Sequence, residues 1–218
     1  YILQQMQHYI RPEQHDDARF HDFVSHLYYQ SLDPSKAEGY AMLKQKIADV
    51  SHEEHADNLL FYLATPPSLY GVVPLHLKSV RLNTPGSRII VEKPFGYSLE
   101  SALELGRVYK EVFEDRQIFR IDHFLGKETA QNILAFRFAN GIFEPIWNRN
   151  YIDYVEVTAV ENLGIENRGG FYDTAGALRD MVQNHLIQLV ALTAMEPPAV
   201  FNADSFRNEV VKVYNSLR

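Results

Sequence analysis

Short apolar runs alternate with segments of helical period along the first half of the chain, and this alternation restricts the fold more than any other feature. Residues 23–29, 58–63, 88–91 and 117–121 read as strands, and residues 34–50, 67–80 and 99–114 read as helices between them. Pro34 suits the first turn of its helix, and Met42, Leu43, Ile47 and Val50 recur at helical spacing. Pro67 opens the next helix, which carries Leu69, Val72, Val73 and Leu77. Ser98 is placed to cap the third, with Glu100 near its positive end. Strands that alternate with helices in this way predict an α/β fold with a parallel sheet and right-handed crossovers. Three strand ends break into unusual chemistry: Ala64-Thr65-Pro66-Pro67, Glu92-Lys93-Pro94 and Asp122-His123. All are carboxyl ends, so they should share the rim of the sheet where open α/β folds bind ligands.

The character changes after Glu128. Residues 129–139 read as a helix with Ile133, Leu134 and Phe136 apolar, residues 143–148 as an irregular aromatic connection, and residues 151–160 as a long strand with one wetter face. A glycine-rich loop covers 161–170. A helix over 171–195 starts irregularly, runs better from Ala177 and ends at Pro197-Pro198. Another helix occupies 205–218. A domain boundary near residue 128 follows, giving domains 1–128 and 129–218, both partial. Residues 1–10 resemble the tail of a helix closed by Arg11-Pro12, and there is no initial methionine, which suggests a fragment.

Composition removes several classes of function. The net charge of −7 and pI near 5.7 argue against non-specific nucleic-acid binding. The absence of cysteine rules out disulfides, thiolate zinc sites and cysteine nucleophiles, and fits the cytosol. No run approaches the roughly 18 apolar residues of a membrane helix. His15, Asp16, Asp17, His21, Asp22 and His26 form no metal-ligand pattern and read as a solvated helix. His52-Glu53-Glu54-His55 is one residue short of a zincin motif.

The densest cluster of ionisable groups is Arg120-Ile121-Asp122-His123-Phe124-Leu125-Gly126-Lys127-Glu128, a strand ending in two cations, two carboxylates and a histidine. Neighbours at a strand end project in opposite senses, so Asp122 and His123 can serve different partners. A carboxylate beside a histidine orients the ring and raises its basicity. His123 and Lys127 together suit a phosphate, and an ordinary ion-pair cluster at a domain edge is the plainer reading. Lys93 precedes a proline, which favours extended backbone, and a lysine fixed at the end of a buried strand is unusual. Glu161 ends a strand and opens the glycine loop. Asp180 and His185 lie on the long helix, where five residues at 3.6 per turn do not stack directly. Both can still line one cleft, and a helix with a polar stripe of Arg179, Asp180, Gln183, Asn184 and Gln188 is the plainer reading.

Taken in order, Phe61-Tyr62-Leu63-Ala64-Thr65-Pro66-Pro67, Ile89-Ile90-Val91-Glu92-Lys93-Pro94-Phe95-Gly96, Arg120 to Glu128, Phe136-Arg137-Phe138-Ala139-Asn140, Pro145-Ile146-Trp147-Asn148, Arg168-Gly169-Gly170 and Arg179-Asp180-Met181-Val182-Gln183-Asn184-His185 resemble the glucose-6-phosphate dehydrogenase family. The resemblance implies part of a Rossmann-type domain followed by the start of an α+β substrate domain. It implies oxidation of glucose 6-phosphate to 6-phosphogluconolactone, with hydride transfer to NADP (NAD possible), in the pentose phosphate pathway. His185 would be the general base, oriented by Asp122. His123 and Lys127 would hold the phosphate, and Glu161 and Asp180 would accept hydrogen bonds from sugar hydroxyls. Lys93 would sit between cofactor and substrate, with Tyr62, Ala64, Thr65 and Pro66 bordering the cofactor. A cytoplasmic homodimer or homotetramer without metal, nucleic-acid or membrane partners is implied for the whole protein. The family commonly has tyrosine where this chain has Phe124, which removes one possible phosphate contact. Its Gly-x-x-Gly-Asp turn is expected before residue 1, and further lysines after residue 218. Two other readings stand beside this one: a Rossmann-type oxidoreductase of an unphosphorylated sugar or polyol, and a catalytically inactive fragment or interaction module.

Overall fold

The computed structural model describes residues 16–51, 57–160, 164 and 169–218. The expected helix tail at 1–10, the 52–55 quartet and Glu161 lie outside the described residues. The chain divides into two compact units, one of Tyr1–Leu59 with Val72–Ser87 and the other of Leu60–Gly71 with Arg88–Arg218.

In the first unit, helix α1 (Asp17–Ser25) is capped by Asp16, whose side chain accepts the Arg19 N–H. It takes up part of the expected 23–29 strand. Phe23, Tyr28 and Tyr29 are exposed, and no strand pairs with them among the described residues. An apolar run without a ladder leaves its backbone groups unpaired, so a local helix with a good cap wins. Helix α2 (Glu38–Ser51) buries Tyr40, whose hydroxyl donates to the Pro34 carbonyl at 2.9 Å. The expected 67–80 helix is broken. A short 3₁₀ turn, Pro67–Leu69, belongs to the second unit and ends before α3 (Val73–Ser79) of the first, which has Pro74 in its first turn. Proline has no N–H to give a continuous helix, so Pro67 opens the 3₁₀ turn and Pro74 sits in the first turn of a separate helix.

The second unit holds a parallel sheet in the order β1 (Leu60–Leu63), β2 (Arg88–Val91), β3 (Ile118–Arg120). Leu63 pairs with Val91, and Val91 with Arg120. Ile89 and Val91 on the central strand are fully buried. Helix α4 (Leu99–Val112) follows β2 and begins with the expected Ser98 cap, in which Ser98 accepts the Ser101 N–H and the Ser101 hydroxyl returns to the Ser98 N–H. Gly96 precedes that cap at φ +83°, and a Cβ there would lie 2.7 Å from the Ala102 nitrogen, so only glycine fits.

Helix α5 (Glu128–Phe138) follows β3. The expected strand at 151–160 is absent. Its residues have no ladder partner among those described, and Tyr151, Tyr154 and Val160 are exposed. The expected 171–195 helix has three parts: α6 (Gly169–Ala177), broken at Gly176 with φ +67°, then a π-helix over Leu178–Leu186, then α7 (Ile187–Ala194). Helix α8 (Ala203–Ser216) is capped by Asn202. Ala130, Ala191, Leu192, Met195 and Val210 from α5, α7, the residue after α7 and α8 form a shared core. No helix among the described residues is long and apolar enough to cross a membrane.

Arg137 on α5 locks this helical group. It is buried, and its guanidinium donates to the Leu192 and Met195 carbonyls at 2.7 Å each. Phe138 and Trp147 rings lie 4.6 and 5.2 Å from its charge. The end of α7 thus has its orphan carbonyls satisfied from another helix. Arg137→Leu should destabilise the protein by about 2–4 kcal/mol, because two buried carbonyls lose a charged donor. Arg137→Lys should recover little, since an ammonium cannot reproduce the planar fork. Urea unfolding of the three proteins checks both statements.

Candidate active site

The ladder beyond β3 continues for one bond, from the Ile121 N–H to the Val91 carbonyl, and then the chain turns. The N–H groups of Leu125, Gly126 and Lys127 donate to the carbonyls of Asp122, His123 and Phe124. This tight turn reverses the chain into α5 without a positive φ at Gly126, where a Cβ would meet the His123 carbonyl at 3.4 Å. Asp122 therefore sits at the sheet rim with Oδ1 accepting the Phe124 N–H at 3.0 Å. Lys93 stands two residues beyond β2 on the same rim, before a cis proline.

The π-helix supplies the other half. Its N–H groups reach back five residues, as Ile187 does to Val182, rather than four. Asp180 and His185 therefore lie one turn apart on one side of the helix, although 3.6-residue spacing would separate them. Both meet Lys93, whose ammonium is 2.9 Å from Asp180 Oδ1 and in close contact with His185 Nε2. Lysine has donors only, so Nε2 accepts and the ring proton resides on Nδ1. Nδ1 in turn lies 2.7 Å from Asp122 Oδ1, an ion-pair distance without the alignment of a hydrogen bond. Asp122 Oδ2 is buried and has no hydrogen-bond partner.

His185 is completely buried. Burial holds its proton affinity below the ordinary histidine range; Asp122 opposes that effect, and Lys93 and His123 add to it. The ring is neutral near neutral pH, with its basic nitrogen directed at the rim and a carboxylate ready to stabilise the charged form. Asp122, His123 and His185 offer ligand atoms within 4.8 Å of one another. The Lys93 ammonium at Nε2 opposes a metal cation there, and the pairing with Asp122 suits a proton.

The remaining residues singled out from sequence fall around this group. The exposed His123 presents its ring edge-on to His185, with centroids 4.8 Å apart. Lys127 is exposed and lies 3.9 Å from the Phe124 ring centroid. Phe124 is stacked on His185 at 4.0 Å and 14°. Only its missing hydroxyl was visible in sequence; its contact with a histidine on a distant helix has no local signal. Tyr62, Ala64, Thr65 and Pro66 occupy the end of β1 and the turn after it. The Tyr62 hydroxyl is in close contact with Glu92, and Thr65 Oγ1 is buried without a partner. An unsatisfied hydroxyl on the carboxyl rim of a parallel sheet fits the border of a dinucleotide site.

A parallel α/β sheet with a carboxylate at its strand-end rim, paired with a buried imidazole from a following helix, is the arrangement of a Rossmann-type domain of the dehydrogenase kind. Residues 1–132 match the family model "Glucose-6-phosphate dehydrogenase, NAD binding domain", and residues 134–218 match "Glucose-6-phosphate dehydrogenase, C-terminal domain". The chain belongs to the glucose-6-phosphate dehydrogenase family. It is 52% identical over 200 residues to glucose-6-phosphate 1-dehydrogenase of Aggregatibacter actinomycetemcomitans, covering 90% of this chain and 40% of that protein. The Treponema pallidum enzyme of that name is 50% identical over 208 residues, covering 94% of this chain and 40% of the relative. A solved glucose-6-phosphate dehydrogenase in complex with its substrate glucose-6-phosphate superposes with a TM-score of 0.85 at 41% identity, over 94% of this chain and 43% of that one. The Mycobacterium avium glucose-6-phosphate 1-dehydrogenase gives 0.80 at 40%, over 93% and 44%. The chain thus spans about 40% of the length of the curated relatives described.

The lowered proton affinity of His185 ties stability to pH. As pH falls through about 6.5, the unfolded chain binds the histidine proton before the folded one does. Stability should therefore decline from there until the pH passes the lowered folded value, below which this group adds no further loss. Urea midpoints between pH 7.5 and 5.5 should show this slope, and His185→Gln should flatten it. Lys93→Met removes a cation from Nε2 and should move the His185 titration upward; an unchanged NMR titration midpoint would contradict the assigned electrostatics.

Proposed function

We propose that the protein carrying this chain oxidises glucose 6-phosphate at C1 to 6-phosphogluconolactone, with NADP as hydride acceptor. The observation that carries the reading is the buried, neutral His185, with Asp122 at Nδ1 and its basic Nε2 directed at the strand-end rim. In the reaction, the C1 hydroxyl takes the position at Nε2 that the Lys93 ammonium holds. Nε2 accepts the hydroxyl proton while the C1–H bond breaks and its electron pair leaves as hydride. The C1–O bond becomes a carbonyl, and Asp122 stabilises the imidazolium. A nicotinamide dinucleotide, when bound, supplies the acceptor for that hydride; Tyr62, Ala64, Thr65, Pro66 and Lys93 border its place.

His123 and Lys127 bind the 6-phosphate, consistent with two exposed nitrogen-bearing side chains on one turn beside the base. Asp180 and Glu161 accept hydrogen bonds from the sugar hydroxyls, and Asp180 is already next to Lys93. The same reading takes 1–128 as the cofactor domain and 129–218 as the start of the substrate domain. It places the whole protein in the cytoplasm as a homodimer or homotetramer, acting in the pentose phosphate pathway.

The test is NADP reduction by the intact protein. His185→Gln should lower kcat by about 10²–10⁴-fold, the usual contribution of a general base. Lys127→Gln should raise KM for glucose 6-phosphate and leave turnover of glucose unchanged. A His185→Gln protein within threefold of the parent, or equal use of glucose and its 6-phosphate, would overturn the reading.

A further inference from the structure

The His185 imidazole meets three charged or titratable neighbours. Asp122 faces Nδ1, Lys93 faces Nε2, and His123 lies against it edge-on at 73°. It also stacks against the Phe124 ring, nearly parallel to the imidazole with centroids 4.0 Å apart. Lys127 Nζ lies 3.9 Å from the centroid of the same phenyl ring. A face covered by a stacked ring at that distance has no room for an ammonium, so the lysine must occupy the opposite face. Phe124 is 8% exposed, and its backbone is held at both ends. Its N–H donates to Asp122 Oδ1, and its carbonyl accepts the Lys127 N–H.

We propose that Phe124 is a positioning residue that acts on both ends of the site, holding the plane of the His185 ring with one face and the Lys127 ammonium with the other. The inference rests on the roles proposed above for His185 and Lys127. A parallel ring on the imidazole face opposes rotation about the terminal side-chain bond, the motion that would turn Nδ1 away from Asp122 and Nε2 away from Lys93 and put ring carbons in their places. The negative face of a phenyl ring attracts an ammonium, so the lysine is kept beside the base until a stronger anion draws it away. The ring also excludes water from the imidazole face, which contributes to the burial that lowers proton affinity. A leucine keeps an apolar side chain at the position, but it covers less of the imidazole face and offers no π face to a cation. This separates positioning from packing. The other charged or titratable groups around His185 are Asp122, Lys93 and His123 directly, Asp180 through Lys93, and Tyr214, whose phenol feels the Asp122 charge. Substitution at position 124 alters none of them chemically.

The experiment compares the intact protein with Phe124→Leu and Phe124→Tyr, using NMR titration of the His185 imidazole and the ring-current shift of the Lys127 ε-methylene protons. The parent and Phe124→Tyr should share a His185 midpoint below the ordinary range and upfield-shifted Lys127 protons. Phe124→Leu should raise the midpoint as water reaches the part of the ring it leaves uncovered, and the Lys127 shift should vanish. Inorganic phosphate should also remove the Lys127 shift in the parent. In turnover, Phe124→Leu should lower kcat about tenfold with its acid limb displaced upward and raise KM for the phosphorylated sugar, and Phe124→Tyr should keep the parent pH profile. A folded Phe124→Leu protein with both NMR signals unmoved would overturn the proposal. If that variant fails to fold, Phe124→Met is read by the same criteria. A His185→Gln protein that keeps its activity would sink the general-base reading while the NMR comparison still decides the positioning role.

Discussion

The five-residue hydrogen-bond register of the π-helix determines what the site can contain. In an α-helix, residues five apart point about 140° away from each other, and a single lysine could not reach both. In the wider register, Asp180 and His185 lie one turn apart, and Lys93 meets both. Burying an ammonium, a carboxylate and an imidazole is tolerable only because each answers another. Asp122 completes the set from the opposite side. Sheet, turn and helix thus contribute one or two groups apiece, and the imidazole is where they meet.

Two buried or partly buried cations serve different ends in the same unit. Arg137 is surrounded by carbonyls and aromatic faces, partners that do not titrate, and it ties α5 to the end of α7. Lys93 is held by two groups that exchange protons or partners. The guanidinium's fixed fork suits permanent carbonyl contacts, and the flexible ammonium suits two partners on different sides of it.

The parts of this fold legible in the sequence are those that local chemistry determines. Residues 88–91 form a strand as expected because the run is apolar and bounded by turn residues, and 99–112 are helical because Ser98 and Ser101 cap each other. Residues 23–29 and 151–160 carry strand-like patterns but form no ladder, because strand identity needs a partner that a single segment does not encode. Pro74 broke a helix that apolar spacing alone had joined. At the site, Asp122 and His123 stood out as ionisable groups at the end of a strand. The closeness of Asp180 and His185 did not, because spacing arguments assume 3.6 residues per turn and tertiary contacts had set another register. Phe124 was legible only as a hydroxyl lost; its stacking depends on a helix many residues away.

The contact between Lys93 and Nε2 gives the free site an internal competitor. The Nε2 lone pair that the proposed general base would use is already engaged by an ammonium on the same chain. Under the proposed function, an incoming hydroxyl is measured against that ammonium rather than against water. Observed affinity is intrinsic affinity scaled by the fraction of molecules in which the lysine has moved aside. A ligand that offers Lys93 an alternative acceptor reduces this penalty, and one without such an acceptor bears it in full. Selectivity can thus begin with the cost of uncovering the base, before any contact specific to the ligand is made.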